Sequence, residues 1–409
     1  MRNNPEKHLL LAARVLTVGI PLFLVAGRAA ADVALTLVAL LFLAHSIITK
    51  DWAWAQIAWV RIALALWLWM LLISNFAFDV SLSYGQAIPW VRFILFAIAL
   101  EVWVLNAIWI RRLVISAAVM VALVAVDAWW QYFTGVDFLG HQRPSEPRLT
   151  GPFNDQRVGI YLTKLLFPAL LGFAGWWAWK RGALGSKLLL AGITLMVIGA
   201  IFVSGERMAF LLVVFGLFLT VVLQKDALRA AVAGMFIVSV VGAGVLALAD
   251  RTMMTRQFTS VTQTVATFYD SDYGQLWRSA LQLGSERLFT GVGMKNFRVA
   301  CSNEEVGLPP EVEERCSTHP HNFYMEWFAE SGLPGLMLFV LMLVALATRL
   351  WQAWRVAGQG RAWMAGPVIA MVIQLWPIAT TASFFSNWSG ALVWLAVGWA
   401  LAAAKVRDA

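Results

Sequence analysis

The sequence predicts an all-α, polytopic integral membrane protein, and three observations carry that prediction. Apolar residues make up 60% of the 409-residue chain and charged residues only 13%, with a mean hydropathy of +0.72. Soluble domains average about 25% charged residues. Apolar runs recur at close to the ~20 residues that a helix needs to cross the hydrocarbon core. Twenty-two tryptophans suit the membrane–water interface, where indoles concentrate. The net charge of +8 would suit a nucleic-acid partner, but the placement of the cations explains it by membrane topology, and no nucleic acid is expected.

Taken in order, twelve spans are expected at 9–27, 33–49, 57–75, 92–107, 113–132, 158–178, 187–204, 208–223, 230–249, 333–350, 362–382 and 390–404. The first run opens near Leu9, carries Arg14 and Pro21 and lacks a small-residue cleavage site. It therefore reads as a retained helix and not as a signal peptide. With the N-terminus in the cytoplasm, every inner connection is basic: Arg2 and Lys7, Lys50, Arg111 and Arg112, Lys180 with Arg181 and Lys187, Lys225 and Arg229, Arg349 with Arg355 and Arg361, Lys405 and Arg407. That asymmetry is the positive-inside pattern and puts both termini inside.

Three outer connections stand out: 76–91, 133–157 and 250–332. The last is long enough for helices of its own. Its "DSDYGQLWRSALQL" spaces Leu276, Trp277, Ala280 and Leu281 as one helical face. No repeat, low-complexity segment or second soluble domain interrupts the chain, which reads as one transmembrane domain, 1–409, with 250–332 as its long outer loop. Cys301 and Cys316 are the only two cysteines. A pair in an outer loop reads as a disulfide, the alternative being two free thiols. The glutamates between them (Glu304, Glu305, Glu311, Glu313 and Glu314) read as a solvated tip.

The outer side is rich in arginine where the topology rule expects few cations. Arg92, Arg143, Arg148, Arg157, Arg207, Arg251, Arg256, Arg278, Arg287, Arg298 and Arg315 fall there, with Lys295. Arginine's planar fork suits bidentate phosphate contacts. The group points to a phosphate-bearing ligand, although any single arginine can equally meet lipid headgroups or the loop glutamates. Arg207, in "VSGERMAF", sits in a turn that Gly205 allows to be tight. Arg157 opens a span in "RLTGPFNDQRVGIYL", where Asn154 or Asp155 is a candidate helix cap. A helix N-terminus beside an arginine is a natural phosphate site.

Two of the five histidines flank a proline in "CSTHPHNFYMEWFAESGLPG". Proline suits the first turn of a helix, so a short helix is expected from Pro320 to about Gly332, with His321 in its first turn. The helix dipole and burial both favour the neutral imidazole there, which can accept a proton. Asn322, Glu326 and Glu330 share one face. His321 is the sharpest general-base candidate; the competing reading is a histidine bonded to a loop carbonyl. "DSD", Asp270 to Asp272, matches a short metal-binding motif but reads as a helix cap. "GVGMKNF", Gly291 to Phe297, offers backbone amides and Lys295 to a phosphate. No Walker sequence is present, no metal and no cofactor are expected, and Glu101, Asp127 and Lys164 are scattered charges within or beside spans.

"VSGERMAF", "FTGVGMKNF" and "HPHNFYMEWFAESGLPGL", in this order after many spans, resemble the O-antigen ligase and polymerase superfamily. The motifs cover about 200–340. The resemblance implies a GT-C-like membrane glycosyltransferase of the bacterial inner membrane. Its reaction would be inverting and metal-independent, on the periplasmic face. The donor would be a glycan on undecaprenyl diphosphate and the acceptor a sugar hydroxyl of the lipid A core. It implies that His321 is the base and Arg207 an essential arginine, and that Arg278 stands near the position of a second one. Glu206 precedes Arg207 where many members carry serine. Arg157 and Arg148 are further candidates for the diphosphate, and Asn322 for orienting the base or the sugar. The shortness of 133–157 favours a ligase over a polymerase. Protein O-oligosaccharyltransferases belong to the same superfamily, and a membrane transporter is the rival of another class.

Overall fold

In a lipid solvent every backbone N–H and C=O must be satisfied within the segment, so the apolar runs fold as helices. The computed structural model describes residues 5–144, 148–174, 184–224, 226–303, 316–357 and 361–406. The glutamate tip with Arg315, and Arg2, Lys180, Arg181, Lys225 and Arg407, lie outside the described residues. The first half contains α1 (Pro5–Ala26), α2 (Arg28–Thr49), α3 (Ala58–Ile73), α4 (Val80–Ala99), α5 (Ala107–Thr134), α6 (Val158–Phe173) and α7 (Leu184–Val203). Then come α8 (Arg207–Leu223), α9 (Asp226–Ala249) and the four short helices α10 (Arg251–Met254), α11 (Ser260–Ala266), α12 (Asp272–Glu286) and α13 (Phe297–Cys301). The chain closes with α14 (Phe323–Val356), α15 (Arg361–Gln374) and α16 (Asn387–Ala403). Among the described residues, eight helices are long and apolar enough to cross a membrane; α6, α8, α15 and α16 are shorter apolar helices. The chain is thus a polytopic helical membrane protein. No strand occurs among the described residues.

The sequence of α16 is apolar on all sides, as befits a fully buried helix. Every residue from Trp388 to Ala403 is buried, and α16 packs against α2, α4 and α15. Around it, α1 packs on α2 and α5, α6 on α5 and α15, and α3 on α14. The outward faces keep exposed Leu, Val and Phe, among them Leu11, Val15, Leu40, Leu68 and Val344. Such a surface is unsuited to water.

Two boundaries and one packed face that bear on the site differ from expectation. α4 begins at Val80, not near 92, because the polar residues of "VSLSYGQAIPW" face protein: Ser83 Oγ meets Ser74 Oγ at 2.8 Å and accepts from the Met294 amide at 2.9 Å. α15 ends at Gln374, not 382. Pro377 disfavours helix at Trp376 and offers no N–H, so 375–386 forms a loop. In α12 the buried stripe is Leu276, Ala280 and Leu283, while Leu281 is exposed; the packed face is rotated by about one residue. α14 breaks where expected. Gly332 has φ +68°, and a Cβ there would lie 2.5 Å from the Phe289 carbonyl oxygen.

Glu101, one of the scattered charges within the spans, has protein partners. Its buried carboxylate accepts from Arg349 Nε (2.9 Å) and Nη2 and from Trp59 Nε1 (3.2 Å), with Lys405 Nζ at 3.6 Å. One acid thus ties α3, α14 and the segment after α16 together. Glu101→Ala strands two cations and an indole N–H, and should destabilise the fold by about 1–3 kcal/mol. This would be read as a lower thermal midpoint in detergent; an unchanged midpoint would remove the clamp from the account.

Candidate functional site: a histidine loop beside an arginine corner

The helix after the two histidines opens at Phe323, three residues later than expected. Asn322 is its N-cap, with Oδ1 accepting from the amides of Tyr324 (3.0 Å) and Met325 (3.1 Å). Its Nδ2 donates to the carbonyls of Pro377 (2.6 Å) and Ala379 (3.4 Å). Both ends of the amide serve the loop itself, which gives Asn322 an orienting place. His321 therefore lies just before the helix and not in its first turn. Its backbone is left-handed, φ +54°, a conformation uncommon outside glycine. The backbone of one residue holds it there: the Thr381 amide donates to the His321 carbonyl at 2.8 Å, and the Thr381 carbonyl accepts from His321 Nδ1 at 3.2 Å.

That second bond fixes the tautomer. With Nδ1–H directed at a carbonyl, Nε2 carries the lone pair. Burial holds the His321 imidazole below its ordinary range, opposed by the Thr381 carbonyl, so the ring is neutral at neutral pH. His319 is different. Its Nε2 meets the same Thr381 carbonyl at 3.3 Å and its Nδ1 meets Thr318 Oγ1 at 2.9 Å. Burial and the neighbouring His321 push it down to about 3. His319 has both ring nitrogens engaged, whereas His321 Nε2 has no partner among the described residues. The two rings lie 4.1 Å apart, and Tyr273 of α12 stands edge-on to His321 at 5.9 Å.

The arginines gather at the turn between α7 and α8. Gly205 is left-handed, φ +73°, and its carbonyl accepts from Arg256 Nε at 2.7 Å. Arg207 is the first residue of α8, half-buried, and its guanidinium has no partner among the described residues. Leu149 binds the Ser204 carbonyl through its amide at 3.0 Å, which lays the 148–157 segment along this turn. Arg148 donates to Gln156 Oε1 at 2.9 Å. Arg157 pairs with Asp155 at 3.1 Å and covers Trp388 at 5.1 Å.

The α6 N-terminus is already occupied. The Glu206 carboxylate accepts from the amides of Gly159 (2.9 Å) and Ile160 (3.1 Å). Burial pushes that carboxyl up to about 8, against the pull of the two amides, Arg148 and Lys164. An internal acid sits where a phosphate was expected, and neither Asn154 nor Asp155 caps α6, whose N-cap is Arg157.

The "GVGMKNF" amides are likewise committed. Those of Lys295 (2.6 Å) and Phe297 (3.3 Å) donate to Glu330, and those of Val292 and Gly293 to the Ala329 and Glu330 carbonyls. Glu326 grips the opposite loop, accepting from Ser383 Oγ and from the Phe384 amide at 2.7 Å. In "DSD", Ser271 is the cap of α12. Arg278 is exposed and donates to the Tyr269 carbonyl at 2.9 Å; α12 brings Tyr273, and not Arg278, onto the His321 ring. Arg92, Arg143 and Arg287 are engaged by Asp32, Tyr132 and Phe76.

Cys301 and Cys316 are disulfide-bonded, which staples α13 to the segment leading into His319. Their separation of 15 residues corresponds to about 3 kcal/mol of stabilisation. Non-reduced peptide mapping should find this link, and Cys301→Ser should lower the thermal midpoint as reduction does. Free thiols on native protein would end the assignment.

The loop 375–386 was missed by sequence reasoning, having been merged into a span. It binds both histidines, Asn322 and Glu326, and its continuation carries Trp388 beneath Arg157. The available signal was Pro377, followed by Thr380, Thr381, Ser383 and Ser386 in an otherwise apolar run. Tyr273 offered no signal beyond its place in α12.

Comparison with known proteins adds one match. Residues 191–340 fit the family model described as O-antigen ligase, and no curated protein matches the chain. The matched stretch runs from α7 through the Arg207 turn, α12 and the histidine loop into α14, so the part of the chain that carries the candidate site is similar to the O-antigen ligase family.

Proposed function

We propose that the protein transfers a polysaccharide from undecaprenyl diphosphate to a sugar hydroxyl of the lipid A core. The observation that carries this reading is the His321 tautomer: Nδ1 is tied to Thr381, on a loop whose continuation reaches the arginine corner through Trp388, and Nε2 has no partner among the described residues. The acceptor oxygen attacks the anomeric carbon while His321 Nε2 takes its proton. The bond to the diphosphate breaks with inversion, and the electron pair leaves on the diphosphate oxygen. Arg207, with Arg157, Arg148 and Arg278 as further contacts, stabilises the growing charge; donors fixed before reaction are worth most in a water-poor site. The donor already holds the bond energy, so the chemistry needs no nucleotide and no metal.

In this reading all twelve apolar helices span the inner membrane of a Gram-negative bacterium, both termini are cytoplasmic and the site faces the periplasm. Pairing of Glu101 with Arg349 argues against a transport relay at that residue. The test is reconstitution with a lipid-diphosphate glycan and EDTA, with lipid A core, no added acceptor, or a protein acceptor. Glycosylated core is expected. Chain extension without core would make it a polymerase, modified protein an oligosaccharyltransferase, and no transfer in any arm would end the glycosyltransferase reading.

A further inference from the structure

Lys295 and Arg298 have no role in the mechanism above. Glu330 holds the Lys295 backbone in a left-handed conformation, φ +58°, yet the Lys295 ammonium forms no ion pair with Glu330 or Glu326. Those carboxylates accept instead from backbone amides and Ser383. Arg298, on the exposed side of α13, also has no partner among the described residues. Both cations flank the histidine loop. α13 is stapled through Cys301 to Cys316, three residues before His319. Glu326, one turn from Glu330, holds Phe384, whose loop also binds the histidines through Thr381. The Lys295 ammonium feels the cations Arg298 and Arg92 and, against them, the carboxylates of Glu330 and Glu326, and His319 feels Arg298.

We propose that Lys295 and Arg298 form an anion site for the acceptor, taking a phosphate or carboxylate substituent on the saccharide whose hydroxyl meets His321. This rests on the transferase reading. The assignment to the acceptor follows from position: these cations lie on the α13 side of the base, whereas Arg207, the principal arginine proposed for the leaving diphosphate, opens α8 at the α7–α8 turn, with the segment carrying Arg148 and Arg157 laid along it. Two partly exposed cations beside the base would select a charged acceptor over a neutral one by charge-assisted bonds.

The test compares Lys295→Gln and Arg298→Gln with wild type on three deacylated core saccharides: intact, phosphatase-treated and carboxyl-reduced. KM for the intact acceptor should rise about tenfold in each variant, the size of one lost charged hydrogen bond, with kcat within about twofold and donor KM unchanged. The treatment that abolishes the difference between variant and wild type identifies the anion as phosphate or carboxylate. An unchanged KM for the intact acceptor, or an equal rise for the saccharide lacking both anions, would overturn the site. Direct titration of the intact saccharide into His321→Ala protein separates this from failure of the transferase reading. Weaker binding on adding Lys295→Gln supports the site without turnover, and unchanged binding overturns it.

Discussion

Replacing His321 with alanine is expected to lower glycosyl transfer by about 10²–10⁴-fold, the usual range for general-base help, while donor binding persists. His319→Ala should have a small effect, because both of its ring nitrogens are already engaged by Thr318 and Thr381. The pH profile carries a second signature. Activity requires the neutral His321 ring, and burial holds that ring below its ordinary range. Transfer should therefore be flat through neutrality and fall only as the pH drops through this lowered value. The acid limb should be missing from the residual activity of His321→Ala. A fully active His321→Ala with a dead His319→Ala would exchange the two roles. If both remain active, the loop is structural.

Arg207→Ala should produce a loss of comparable size, about 10²–10³-fold for removal of one preorganised charge-stabilising donor, with normal membrane insertion. Arg207→Lys keeps the charge and loses the planar fork, so it should recover only part of the activity. Insertion is expected to be unaffected because the guanidinium has no partner among the described residues to strand. Arg256→Ala makes an informative contrast. It removes the bond to the Gly205 carbonyl, so it should loosen the turn and lower the thermal midpoint, which Arg207→Ala should not. Near-normal transfer by Arg207→Ala would take this residue out of the site.

The sequence made the membrane class legible because apolar run length maps directly onto helices, and the break at Gly332 because a left-handed position has few tenants. Polar contacts between distant segments were less visible. The amides of "GVGMKNF" and of the α6 N-terminus looked open to a phosphate, and both are closed by buried acids, Glu330 and Glu206, that lie 33 or more positions away. The start of α14 was misplaced by three residues because proline at a first turn and proline before an asparagine cap look alike in one dimension. The cysteine pair was identifiable from residue type, and the tight turn before Arg207 from local punctuation. Thr381 was hidden because its contribution is a backbone N–H and carbonyl, which almost any residue possesses.

The grip of Thr381 on His321 also bears on how the protein can be recombined. The family match ends at residue 340, but the carbonyls and amides that orient His321, Asn322 and Glu326 come from 375–384. A chimera that imports residues 191–340 alone would bring the imidazole without the strap that sets its tautomer. One that also imports 361–406 would transplant both halves of the device. Divergence in these two segments should therefore be correlated, and an exchange that respects the boundary at 340 would be an inactive hybrid with an intact histidine.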